Sequence, residues 1–173
     1  HGICKSVSVS AGSVSKGTDT SATLTKCEDQ LSLVSRNIRG LYCNLAAALR
    51  NNVQIICLQE TDLSEASAAE LRAQARVAGY SLFYSAPTPL TADGKGDHGR
   101  RACILVHNDY KAEDVSDDDD PNVRYLESTG RWLEVVMPTG DGSTYIYIAC
   151  IYGISGASTD QGKKDDTERI LAG

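Results

Sequence analysis

The chain is poor in large aromatic and sulfur side chains, with one Trp, one Phe and one Met, and it holds only 4 Pro in 173 residues. Few prolines together with 41% hydrophobic residues exclude disorder along the whole length and fit a soluble globular domain with a sizeable core. An excess of basic charge is also missing. The 17 Lys+Arg stand against 23 Asp+Glu, a net charge of −6, so there is no general attraction to polyanions and any contact with nucleic acid needs local arginines or bound cations. No CxxC pair occurs among the six cysteines at 4, 27, 43, 57, 103 and 150, which argues against a structural zinc site and against a small disulfide scaffold. Cys57, Cys103 and Cys150 each fall in an apolar run (IICL, ACILV, IACIY), as buried free thiols of a reducing compartment do.

Long apolar runs are absent as well. The longest uncharged stretch near the end, 142–159, is shorter than a typical bilayer span and studded with Ser, Thr and Gly, and the first thirty residues lack the apolar block of a signal peptide. The reading is of a chain that makes no membrane contact. It starts at His1 and not at Met, which suggests a piece of a longer protein.

Residues 1–28 are dominated by Ser, Thr, Gly and Lys, and read as a flexible tail that buries too little apolar surface to offset its ordering entropy. An apolar segment at 31–36 reads as a strand, and LYCNLAAALRNN then sets Leu41, Leu45, Ala48 and Leu49 on one helical face. VQIICL (53–58), without Gly or Pro, reads as a central parallel strand, so the three pieces make a β-α-β unit. A second helix is expected from about Ser67 to Gly79, with S-A-A-E (67–70) as its capping box and the glycine as its stop.

Strands are expected at 80–84, 102–107, 131–137 and 144–152. The last two are joined by PTGDGS, whose Asp-Gly pair is a hairpin signal. The stretch 85–100 reads as a loop, and 109–122 as an acidic, solvated one, with a run of four aspartates at 117–120 that lacks the spacing and glycine of a calcium loop. Residues 109–120 carry seven acids and one lysine, and without them the chain has 16 basic and 16 acidic residues. A final helix is expected from about Asp160 to Leu171.

The informative polar pair is Asn37 and Glu60. If 31–36 and 53–58 are neighbouring parallel strands, both residues lie at strand C-termini, the edge of an open α/β sheet where ligands bind. A carboxylate beside an amide suits a hard cation such as Mg²⁺. From position alone, a turn cap at Asn37 and an ordinary surface acid at Glu60 are the favoured reading. A Rossmann-type nucleotide binder is disfavoured, because no G-x-G-x-x-G follows the first strand.

S-R-N-I-R-G-L (35–41) followed by I-I-C-L-Q-E-T (55–61) resembles the opening of the endonuclease/exonuclease/phosphatase superfamily, above all its apurinic-endonuclease-like and retrotransposon-endonuclease branches. A-C-I-L-V (102–106), G-R-W-L-E-V-V (130–136) and Y-I-A-C-I-Y-G (147–153) resemble its middle strands, so the likeness runs over about residues 30–172. The resemblance implies an α/β fold, the N-terminal part of a four-layer α/β sandwich with a mixed sheet flanked by helices, occupying 29–173 with its second half missing. It implies Asn37 and Glu60 as metal-site residues for Mg²⁺ or Mn²⁺, Tyr152 as the strand-end residue that contacts the scissile phosphate, and Arg131 as a strand-start arginine near the site.

The activity implied is divalent-metal-dependent hydrolysis of a phosphodiester in DNA, with nucleic acid as partner, no membrane and no small-molecule cofactor, in an intracellular and, for a DNA-acting protein, nuclear setting. Two features depart from the family pattern. Tyr152 is followed by Gly-Ile-Ser-Gly and not by a Pro-Asn-like turn. The later G-D-x-N and S-D-H motifs, which handle the attacking water, do not occur, and Asp97-His98, ahead of the 102–107 strand, is out of place for them. His98 and His107 read as polar loop and strand-end residues. The chain is therefore expected to be inactive alone, with a degenerate binding module, a mobile-element remnant or a phosphatase of the same superfamily as alternatives.

Overall fold

The computed structural model describes residues 7–13 (as backbone), 31–50, 52–85, 101–115, 130–139 and 144–151, together with isolated positions at 124, 127, 128, 142, 161, 162, 165 and 168. Among these residues the fold is α+β. Eight strands, β1 (Val7–Ser13), β2 (Leu33–Asn37), β3 (Ile55–Gln59), β4 (Tyr80–Tyr84), β5 (Cys103–His107), β6 (Glu113–Asp114), β7 (Trp132–Pro138) and β8 (Thr144–Ile151), accompany two helices, α1 (Leu41–Leu49) and α2 (Glu65–Val77). One sheet is mixed, in the order β2-β3-β5-β4, and the other is antiparallel, in the order β1-β8-β7-β6.

The β-α-β unit forms as expected: β2 and β3 are parallel, with Leu33 opposite Ile55 and Asn37 opposite Gln59. All five residues of β3 are buried, which is why its sequence is a continuous apolar run and not an alternating one. Its other neighbour, β5, runs antiparallel, so β3 is central in a mixed sheet. Side chains of β3 and β5 alternate between two cores. Ile56, Leu58, Cys103 and Leu105 face the helices, where Leu41, Leu45 and Ala48 of α1 meet Ala68, Leu71 and Ala75 of α2. Ile55, Cys57, Ile104 and Val106 face the second sheet, against Leu133, Val135, Met137, Ile148 and Cys150. The layers are thus helices, mixed sheet and antiparallel sheet.

The helix starts come from different devices. α1 has no side-chain cap at Gly40. Instead the Gly40 and Leu41 amides donate to the carbonyls of Glu60 and Thr61, at 2.7 and 2.6 Å, so a neighbouring turn satisfies groups that a helix start leaves open. α2 begins two residues before the expected Ser67. Ser64, extended at φ −96°, accepts from the Ser67 amide while the Ser67 hydroxyl accepts from the Ser64 amide, a reciprocal box in which serine does what Glu70 was expected to do. Glu70 accepts from Gln74 and from the Tyr42 hydroxyl instead. Gly79 ends the helix at φ +86°, as its position predicts.

Two further expectations are corrected. Val7–Ser13 lies within the supposed tail, yet it pairs antiparallel with β8, from Val7 opposite Cys150 to Ser13 opposite Thr144. Its Val-Ser alternation is a strand period in a polar composition, and the open side of β8 supplies the partner. Within the acidic stretch, Glu113 and Asp114 form a short edge strand on β7, exposed on both faces, where charge is tolerated and blocks further pairing. The four aspartates, the loop at 86–100 and the rest of 1–28 lie outside the described residues, as does most of the expected final helix, of which Gln161, Gly162, Asp165 and Glu168 are helical. No helix of the described residues is long and apolar enough to cross a membrane.

Candidate functional site

One end of the mixed sheet collects the candidate residues. Asn37 closes β2 and is exposed, and Glu60 follows β3 and is half-buried. Because β2 and β3 are parallel and in register, their C-terminal ends coincide. Beyond Asn37 and Gln59 the two chains stay joined: the Ile38 amide donates to the Gln59 carbonyl at 3.1 Å, ahead of the two bonds that start α1. Arg39, Glu60 and Asp62 all hold positive φ, at 45°, 55° and 46°, conformations that cost a non-glycine residue energy and bend both chains sharply off the sheet. Asn44, in the first turn of α1, donates to the carbonyls of Ile38 and Gly40 at 3.0 and 2.8 Å and holds the turn that follows Asn37.

The stitching continues across the sheet. The Thr61 amide and hydroxyl both donate to the Arg101 carbonyl, at 3.3 and 3.0 Å, and the Ala102 amide donates to Gly130 at 3.1 Å. Ser85, at the end of β4, donates its amide to Ala102 and its hydroxyl to Gly130, the latter at 2.7 Å. Backbone bonds therefore run from the end of β2 through β3 and β5 to the start of β7, and place Arg101 and Arg131 at the same end as Asn37 and Glu60. Neither arginine is a surface residue, with 8% exposure for Arg101 and 7% for Arg131. Guanidinium groups so buried require anionic or hydrogen-bonding partners.

Of the residues named from the sequence, Asn37, Glu60 and Arg131 lie at this end. Tyr152 and His98 lie outside the described residues. His107 sits at the opposite end, because β5 runs antiparallel to β3. There it pairs with Asp109 at 3.2 Å and packs edge-on against Tyr80. The residue that sequence reasoning missed is Arg101. Its signal was the Arg100-Arg101 pair abutting an apolar strand, a position where a charge is buried only if the packing of two sheets closes over it.

Beneath this end lie three thiols, Cys57, Cys103 and Cys150, all fully buried. Burial pushes the Cys103 thiol well above its ordinary value, and the neighbouring Cys150 adds to the shift. Cys150 is drawn down by hydrogen bonding, from Cys57 first, with Gln59 and backbone groups adding and burial opposing.

The donors at the strand ends suit a hard cation. Glu60 offers a carboxylate and Asn37 an amide oxygen, and their partial exposure leaves room for the waters that Mg²⁺ retains. Among the described residues no group of three or more His, Cys, Asp or Glu is arranged to hold a metal ion. No model of a known protein family matches the chain, and no curated protein sequence matches it.

Proposed function

We propose that this chain carries the metal-binding and phosphate-binding part of a divalent-metal-dependent phosphodiester hydrolase of the endonuclease/exonuclease/phosphatase type, acting on DNA. The observation that carries the reading is the stitched end of the mixed sheet, where Asn37, Glu60, Arg101 and Arg131 converge on adjoining backbone. The family likeness of the sequence predicts three of those four positions. The net charge of −6 does not oppose it, since the segment around Asn37 adds the exposed Arg36 and Arg39, a local basic group of the kind a polyanion needs. Helices, a mixed sheet and an antiparallel sheet stacked in that order are compatible with three of the four layers that this reading requires.

Glu60 and Asn37 would hold Mg²⁺ or Mn²⁺, which supplies Lewis-acid polarisation of a phosphoryl oxygen. Arg131 compensates the charge that builds on the phosphate, and the sharp turns at Arg39 and Glu60 keep the two oxygen donors at the sheet edge. Orientation and deprotonation of water fall to an Asp/His pair that these residues do not provide.

Two measurements test the proposal. In NMR titrations with Mn²⁺, paramagnetic broadening is expected at residues 37–40 and 59–62 and is lost in Glu60→Ala. Broadening elsewhere, or broadening indifferent to that substitution, rejects the site. In a metal-dependent nicking assay on abasic and intact plasmid DNA the chain by itself is expected to give no turnover, and robust turnover abolished by Glu60→Ala overturns the expectation of inactivity. The exposed Arg36 and Arg39 also suit a second reading, a non-catalytic nucleic-acid-binding module; DNA binding that is independent of both metal and Glu60 selects it.

A further inference from the structure

Gln59 is the one residue of β3 that carries a polar side chain, and it is fully buried. Its side-chain Nε2 donates to the Ser35 hydroxyl on β2 at 2.9 Å and to the Cys150 thiol on β8 at 3.5 Å. The Cys150 thiol in turn donates to the Leu58 carbonyl at 3.5 Å, which returns the chain of bonds to β3. Ser35 is two residues before Asn37, Cys150 is one residue before the end of β8, and Gln59 immediately precedes Glu60. A buried amide is costly unless its donors are used, and here both amide hydrogens are used between strands of different sheets.

We propose that Gln59 is a positioning residue: its buried amide braces β2 and β8 against β3 and so fixes the strand ends that carry Asn37 and Glu60 in one geometry. The part that concerns metal binding rests on the function proposed above, whereas the brace itself does not. An apolar side chain of similar length fills the same space but leaves β2 held to β3 by backbone pairing alone and β8 held to β3 by apolar packing and the Cys150–Leu58 bond. The polar residue is therefore retained at a core position for register at the edge and not for packing.

The test compares Gln59→Met, Ser35→Ala and Cys150→Ala with the unaltered chain. Backbone order parameters at Asn37 and Ile151 are expected to fall from about 0.85 to below about 0.6 in Gln59→Met, while Ile55 and Val106 at the far end of the sheet hold. Ser35→Ala should loosen Asn37 alone, and Cys150→Ala should loosen Ile151 alone. That split separates a brace from general destabilisation, and it stands even if Gln59→Met does not fold. Unchanged order at both ends in the single-arm variants, or a uniform loss along the sheet, overturns the proposal. Mn²⁺ affinity should weaken about tenfold in Gln59→Met, as for residues that orient ligands without touching the metal. If the unaltered chain binds no Mn²⁺ through Glu60, the functional reading fails and the order parameters alone decide the brace.

Discussion

Gly40 and Glu60 are joined through their backbones, the Gly40 amide donating to the Glu60 carbonyl at 2.7 Å while both hold positive φ, +94° and +55°. The bond ties the start of α1 to the turn after β3 and closes the loop that follows Asn37. Open space surrounds the position where a Gly40 side chain would stand. The cost of Gly40→Ala is therefore conformational, about 1–2 kcal/mol. In urea unfolding the midpoint should fall with the slope unchanged, and an unchanged midpoint refutes the assignment of a left-handed backbone there.

The pairing of β1 with β8 leads to a second expectation. Without residues 1–13, β8 becomes an edge strand from Thr144 to Cys150 with the apolar sequence TYIYIAC. Such an edge invites pairing between copies. Size-exclusion chromatography with light scattering should show the shortened chain associating with rising concentration, whereas a true tail could be removed without effect.

The start of α2 is tested by two substitutions. Ser64→Ala removes an acceptor for the Ser67 amide and should cost about 1 kcal/mol. Glu70→Gln, at an exposed position, should stay within about 0.5 kcal/mol. The reverse order of effects would restore the box at residues 67–70.

A pH dependence follows from the buried thiol of Cys103. Its ionisation lies higher in the folded chain than in the unfolded one, where a thiol ionises near about 8.5. The folded state then binds more protons above that pH, so the stabilising contribution is whole below about 8.5 and is lost as pH rises through the folded value. The slope from one such group approaches about 1.4 kcal/mol per pH unit. Denaturation midpoints from pH 7 to 10 should decline less steeply in Cys103→Ala, although that variant starts lower because it opens a cavity. Cys150 and Cys57, the thiols beside it, are present in both proteins, and equal slopes would refute the assignment.

The legible parts of the fold were those whose signal is local. Leu41, Leu45 and Ala48 recur at the spacing of a helix face, and the structure buries all three. VQIICL has the continuous apolar character of a strand covered on both faces, and β3 is covered on both. The three apolar-run cysteines are buried thiols for the same reason. β1 was missed because composition was weighed there above alternation: Val and Ser at period two make a strand only when a partner such as β8 is within reach. The placement of Asn37 and Glu60 at adjoining strand ends was legible from position, while the burial of Arg101 and Gln59 was not. A charge or an amide in the sequence does not say whether another sheet will close over it.

The sequence by itself determined the β-α-β unit, its direction, and with it the meeting of Asn37 and Glu60 at one sheet edge, since helical and strand periods and the crossover between parallel strands follow from neighbouring residues. Only the tertiary structure decided that β5 enters between β3 and β4, that a second sheet packs over Cys57 and Ile104, and that Arg101, Arg131 and Gln59 are buried beneath the site. Those outcomes depend on which strands pair across long stretches of chain and on what covers each face, and burial, not residue type, sets how strongly a buried guanidinium or amide must bind its partners.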